Sequence, residues 1–179
     1  MSNLYIMEAA NLFAGDHNPQ SSNHLTLQNL KLPGLEEQFT DHAAGGAPVA
    51  IEIDTHIGRL EATFNLLGWQ PRVMTLIGQS ARNRQTFTAY GLIRNRRTGE
   101  PMEGMAVMQG RLGRVNPTDF NRGTNQVHEY AIRSIVHYEL KMGGEQIYFW
   151  DFFTNVRRVG GEDLNFDLNR ILRIPTGAA

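Results

Sequence analysis

The sequence predicts a mainly β domain of antiparallel strands with two short helices. Apolar and polar residues alternate with period 2 over several long segments. Clusters of Gly, Pro, Asn and Asp punctuate those segments at the spacing of turns. Only two stretches carry a helical stripe instead.

The clearest strand covers about 127–140. There Tyr130, Ile132, Val136, Tyr138 and Leu140 share one face, and Glu129, Arg133, His137 and Glu139 the other. Such alternation buries one face of a sheet and wets the other. The wet face fits either an outer surface or the wall of an aqueous channel.

From the N-terminus, the polar stretch 11–23, with Gly15, Asn18 and Pro19, reads as part of an irregular arm over about 1–23. Alternation starts near His24 with Leu25 and Leu27, and Pro33-Gly34 marks a turn or bulge. A strand over about 35–40 leads into Asp41-His42-Ala43-Ala44-Gly45-Gly46-Ala47-Pro48, a tip over about 41–48. Beyond His42 it has no side chain large enough to pack a core. Its small residues suit close contact with another chain rather than catalysis. Val49, Ile51 and Ile53 resume the strand, alternating with Glu52 and Asp54. Leu60, Ala62, Phe64 and Leu66 form the next, alternating with Glu61 and Thr63.

Gln70-Pro71 opens a short helix near 70–78, since proline suits a first turn. Val73, Met74 and Ile77 give its apolar stripe, and Gly78 ends it. Strands follow at about 85–94 and 102–115, joined by a polar turn at 95–99. Met142-Gly143-Gly144 turns the chain into a return strand over about 146–153. Leu164, Leu168, Ile171 and Leu172 predict a C-terminal helical segment over about 162–174, ending before Pro175.

At 179 residues the chain fits one domain, 1–179, and 41% hydrophobic content supplies an ordinary core. There is no cysteine, which excludes disulfides, thiol nucleophiles and cysteine–zinc sites. Seventeen basic against 18 acidic residues argue against a surface that grips nucleic acid broadly. No apolar run approaches the ~18–20 residues of a membrane span. The N-terminus has no signal-peptide pattern, so the expectation is a soluble protein made in the cytoplasm, with no membrane partner.

Catalytic, cofactor and metal residues are expected to be none. Gly78-Gln79-Ser80-Ala81 has half of a nucleophile elbow but follows a helix, where the elbow needs a strand. His17, His24, His42, His56, His128 and His137 form no ligand-spaced pair, so surface or interface positions are expected for them. Gly110-Arg111-Leu112-Gly113 sits within a strand, where glycine marks a bulge or close backbone approach. Arg157-Arg158 and the 94–97 stretch could meet phosphates or an acidic partner, although the latter reads first as a solvated turn. Tyr148, Phe149, Trp150, Phe152 and Phe153 make both faces of one strand apolar. The face turned from the core needs a cover, either the C-terminal helix or a neighbouring subunit. A small β-barrel module for a flavin or lipid is a competing reading, but no convergent polar pocket can be assembled for it.

The order of short motifs narrows these readings. Asn11-Leu12-Phe13 precedes a strand ending in Leu30-Lys31-Leu32-Pro33, and the Ala44–Val49 tip follows. Glu61-Ala62-Thr63-Phe64, a short helix closing at Gly78, and the strand exit Arg111–Pro117 come next. Ile135–Leu140 is then followed by a Gly-Gly hairpin. This order, from about residue 11 to 171, resembles the major tail-tube protein family of contractile-tailed bacteriophages, shared with contractile bacteriocin particles.

The resemblance implies two packed antiparallel sheets in a β-sandwich or barrel-like arrangement. Six subunits would close a ring whose sheets join into one barrel around a lumen, and stacked rings would form a tube that conducts double-stranded DNA. A contractile sheath outside, a tape-measure protein within, and baseplate and tail-terminator proteins at the ends are the implied partners. Asn11, Leu12, Phe13, His42, Ala43, Ala44, Gly45, Gly46, Ala47 and Pro48 are the implied subunit contacts. Glu52, Asp54, Glu61 and Thr63 are expected to face the lumen. The tube of a DNA-free injection machine, bacteriocin or secretion system, fits the sequence as well. The implied location is the virion tail, assembled in the host cytoplasm.

Overall fold

Two long strands organise the domain. The computed structural model describes residues 3–46, 48–78 and 80–175, so Ala47 of the tip and Gln79 of the 78–81 loop lie outside the described residues. The strands are β1 (Tyr5–Ala14), β2 (Leu27–Lys31), β3 (Glu37–His42), β4 (Ile51–Ile57), β5 (Ala62–Leu67), β6 (Gln85–Asn95), β7 (Pro101–Asn116), β8 (Val127–Met142), β9 (Glu145–Asp151), β10 (Val156–Val159) and β11 (Glu162–Asp163). The helices are α1 (Pro71–Met74) and α2 (Phe166–Leu172).

All the strand pairings are antiparallel. One nine-stranded sheet runs β1-β6-β7-β8-β9-β10-β11, with β5 branching from β8 and β2 from β5. The branch exists because β8 changes neighbour along its length. Val127–Ile132 pair with β5, whereas 137–142 pair with β9. Ser134, at φ 50°, lies in the gap between them. Opposite it, β7 advances from Gln109 to Arg111 while β8 advances from His137 to Arg133. The sheet therefore has two leaves sharing β7 and β8. One leaf is β2-β5-β8-β7, and the other runs from β1 to β11.

Both leaves turn apolar residues into a single core. Phe64, Leu66, Leu112, Tyr130 and Ile132 come from the first; Leu12, Phe87, Met108, Tyr138 and Tyr148 from the second. Phe64 and Tyr130 stack with ring centroids 5.1 Å apart. Burial pushes the Tyr138 hydroxyl up to about 12.

The turns follow their residues. Gly143 and Gly144, at φ 59° and 84°, make the two-residue hairpin that needs positive φ twice. Gly110 permits the close approach of β7 to the β8 irregularity: a Cβ there would lie 3.0 Å from the Arg133 carbonyl oxygen and from Ile132 Cγ2. The expectation of a bulge or close approach at 110–113 holds.

Several expectations need correction. The N-terminal arm is not irregular up to residue 23; Tyr5–Ala14 is an edge strand on β6. Helix α1 is one turn rather than two, because Ile77 leaves it to bridge to Leu112. β9 stops at Asp151, where Phe152 N–H turns to the Val136 carbonyl at 2.9 Å. β10 and β11 fill a stretch with no predicted strand. Helix α2 occurs as predicted but is turned round: Asn169 is its buried residue, while Leu164, Leu168, Ile171 and Leu172 are exposed.

Candidate assembly surfaces

Among the described residues β3 and β4 pair only with each other, and their side chains are exposed on both faces apart from partial burial near the root. They form an arm. Its register puts Thr40 and His42 beside Ile53 and Ile51 on one face. Phe39 and Asp41 lie beside Asp54 and Glu52 on the other. One face is thus apolar at its centre, and the other is acidic around a single ring. Phe39, Val49, Ile51 and Ile53 are all exposed, which an isolated chain would not favour. Arg157 Nη2 holds the root through Glu37 Oε1 at 3.1 Å, and Gly58 N–H donates to the Glu36 carbonyl at 2.8 Å. His42, Ala43, Ala44, Gly45, Gly46 and Pro48 occupy the exposed end.

The second surface is the polar side of the β2-β5-β8-β7 leaf. Lys31 pairs with Thr63, which pairs with Ala131, and Asn65 pairs with Glu129. Arg111 lies opposite Arg133, and Arg114 opposite Ala131. Cross-strand partners share a face, so these residues form one polar sheet opposite the core. Arg114 arrives there only because the register shifts between Leu112 and Arg114. Glu61 Oε1 is 3.2 Å from Arg133 Nη2 and 3.9 Å from Arg114 Nη2. Arg114 Nη2 also meets Glu129 Oε1 at 2.6 Å. Among the described residues this leaf ends in an unpaired β2 edge on one side. On the other it ends in the last residues of β7, past the Ile77–Leu112 bridge.

The remaining sequence-predicted residues scatter. Glu61 and Thr63 lie on the polar leaf, while Glu52 and Asp54 lie on the acidic arm face. Leu12 does not offer itself for contact, being fully buried in the chain's own core because β1 alternates inward there. Its neighbours point the other way. Asn11 Nδ2 donates to Ser22 Oγ at 2.9 Å. Phe13 stacks on His17 at 5.2 Å and meets Tyr90 edge-on at 5.9 Å.

The candidate chemical groups have structural partners. Ser80 Oγ caps a short turn by accepting from Arg82 N–H at 3.2 Å. His128 is not at the surface, as expected, but fully buried under Trp69, its Nδ1 accepting the Thr118 N–H at 3.1 Å. His137 Nδ1 is 3.1 Å from Asp151 Oδ2. Arg94 and Arg96 both meet Glu8. Phe149 is covered from within the chain, edge-on by His137 and by the Arg158 guanidinium, rather than by α2. Phe152 and Phe153 stay exposed.

Sequence reasoning missed the exposed Ile51 and Ile53 on one arm face and Phe39 on the other, although the alternation of the isoleucines was visible. It missed Arg114 as a partner of Glu61, because the bulge reverses its side.

An antiparallel body with open sheet edges, a projecting arm and a polar leaf backing the core defines a structural β subunit. The chain belongs to the family described as phage tail tube protein FII, whose profile matches residues 6–172. Among solved structures it is similar to a chain of the sheath–tube complex of an extracellular contractile injection system, PVC, in its extended state. That match has a TM-score of 0.54 at 8% identity and covers 74% of this chain and 88% of that one. It is also similar to a chain of the sheath/tube terminator of that system, with a TM-score of 0.51 at 10% identity, covering 75% and 92% respectively. At these identities the likeness is one of fold. No curated protein sequence matches the chain significantly.

Proposed function

We propose that this tail tube protein assembles as homohexameric rings stacked into a hollow tube, through which double-stranded DNA passes into the host when a surrounding sheath contracts. The observation that carries the reading is the β2-β5-β8-β7 leaf, polar on one side and unpaired at both edges. Open edges are a liability that closure removes. Joining the β2 edge of one copy to the β7 edge of the next is a heterologous contact, which closes into a ring when the rotation permits.

In that ring the polar leaf faces the lumen, with Glu61 and Thr63 on its wall. The arm docks its tip, residues 42–48, on a neighbouring copy and carries Glu52 and Asp54 forward along the bore. Asn11 and Phe13 add contacts near the ring edge. A sheath protein outside, terminator and baseplate proteins at the ends, and a tape-measure protein in the lumen complete the assembly. It is built in the host cytoplasm and resides in the virion tail.

Cryo-electron microscopy of the purified protein tests this. Six-fold rings with Glu61 and Thr63 in the bore are expected. A protein that stays monomeric at high concentration, or a map with the polar leaf outside, overturns it. A second reading, the tube of a DNA-free injection machine, draws on the PVC fold neighbours. Isolated particles that carry this tube but no DNA-filled head would establish it instead.

A further inference from the structure

We propose that the polar leaf is a masked polyanion-binding surface, and that Glu61 is the residue that masks it. The proposal rests on the lumen reading only for where the surface acts, not for whether it is masked.

The leaf brings four cations, Lys31, Arg111, Arg114 and Arg133, onto one face with two carboxylates, Glu61 and Glu129. The carboxylates are placed to do more than balance charge. Glu61 comes from the residue just before β5 and reaches guanidinium groups on two other strands, Arg133 of β8 and Arg114 of β7. Glu129 takes Arg114 from the opposite side. Arg111 is engaged separately, donating from Nη2 to the Gly78 carbonyl at 2.5 Å. Among the described residues, Glu61 is the ion-pair partner of Arg133.

All four members of the Arg114–Glu61–Arg133–Glu129 network remain partly open to solvent. They therefore add little to stability, yet they set what the face presents. Guanidinium groups bind phosphate through paired N–H donors. Here those donors already face carboxylates, and an approaching phosphate meets Glu61 and Glu129 as well. A protein cation binds a polyanion by neutralising a phosphate and releasing the counterions condensed on it. A guanidinium already neutralised by a carboxylate displaces fewer of them. The face is thus basic by count but passive toward phosphate. Removing Glu61 would free Arg133 wholly and Arg114 in part, beside Lys31.

The test measures binding of a labelled random-sequence DNA duplex to wild type, E61Q, E129Q and E145Q, as monomer and as assembled tube, at low and moderate salt. Wild type and E145Q, altered only at the exposed start of β9, should bind weakly and alike. E61Q should bind at least about tenfold more tightly at low salt, with the gain lost as salt rises. E129Q should show a smaller gain, and supplies the test if E61Q fails to fold. The double variant E61Q/R133Q should lose most of the gain, which a merely structural role for Glu61 would not produce. Folded E61Q or E129Q monomers that bind no better than wild type overturn the masking. A gain seen in monomers and kept in full along the outside of intact tubes upholds the masking and overturns the lumen placement alone.

Discussion

Asn155 and Asn169 hold each other reciprocally. Asn155 Nδ2 donates to Asn169 Oδ1 at 2.7 Å, and Asn169 Nδ2 donates to the Asn155 carbonyl at 2.9 Å. Asn165 Nδ2 joins the same carbonyl at 2.9 Å. Asn155 sits at φ 51°, a left-handed conformation that asparagine tolerates better than most residues. Helix α2 is thus fastened to the β9–β10 loop by amides, and its apolar stripe is left outside. N169L should strand the Asn155 side-chain amide, leave the Asn155 carbonyl to Asn165 alone, and cost about 1–3 kcal/mol. Thermal melts should shift down. Limited proteolysis should cut near α2 before the body unfolds.

Much of the fold was legible because most strands obey one parity throughout. The β8–β9 hairpin could be placed from Gly143-Gly144, and the core face of β8 from Tyr130, Ile132 and Tyr138. Legibility failed where parity breaks. Arg111 and Arg114 are an odd number apart yet share a face, since the register shifts between Leu112 and Arg114. Gly113 was the visible sign: a Cβ there would lie 3.0 Å from Arg133 Cβ. Helix α2 failed differently. An apolar stripe at helical spacing normally faces a core, and nothing local shows that three asparagines will outcompete it. For the candidate site, the exposure of the tip and the polar-face positions of Glu61 and Thr63 could be read from sequence. The arginines that Glu61 engages could not, because they meet it only across strands.

Gly110 tests the junction between the leaves. A methyl group there crowds the Arg133 carbonyl and the Ile132 side chain at 3.0 Å and the Ile135 side chain at 3.1 Å at once. G110A should destabilise the chain by about 1–3 kcal/mol, as overpacking does. A urea midpoint unchanged from wild type would show that the β8 irregularity yields without strain.

The Glu37–Arg157 pair is 3.1 Å long and partly exposed, so its loss should leave stability within about 0.5 kcal/mol. Its effect should appear in the arm. R157Q is expected to melt like wild type and to form tubes more slowly, because the root no longer sets the arm's direction. Light scattering during assembly, beside calorimetry of the monomer, separates the two.

Acid should weaken the domain through β8 and β9. Burial pushes the Asp151 carboxyl up, but hydrogen bonds from the Thr154 amide and hydroxyl and from His137 outweigh it and hold it below its ordinary value. Glu139 behaves likewise, with Lys141 and Gln146 overcoming its burial. A depressed folded pKa means that the unfolded chain takes up protons first as pH falls. The stabilisation is complete above the ordinary carboxylate range and is lost below about pH 4. Urea midpoints should be level from pH 7 to about 5 and fall beneath. D151N should be less stable at pH 7 and show a flatter fall.

The tip separates folding from assembly. A Cβ on Gly45 or Gly46 would meet no atom of the chain within 4 Å, and neither residue needs a left-handed backbone. A β-branched side chain there should therefore leave the monomer's melting temperature within a degree or two of wild type, since surface changes stay within about 0.5 kcal/mol. Docking is another matter. Small residues allow two backbones to approach closely, and two adjacent glycines lose much conformational freedom when they are fixed. G45V and G46V should fold and yet assemble poorly. Amide hydrogen exchange across 41–49 should be fast in the monomer and slow in the tube for wild type, and remain fast in both variants. Equal protection of the wild-type tip in monomer and tube would mean that it makes no contact on assembly. Normal tubes from both variants would mean that close backbone approach is not what the tip supplies.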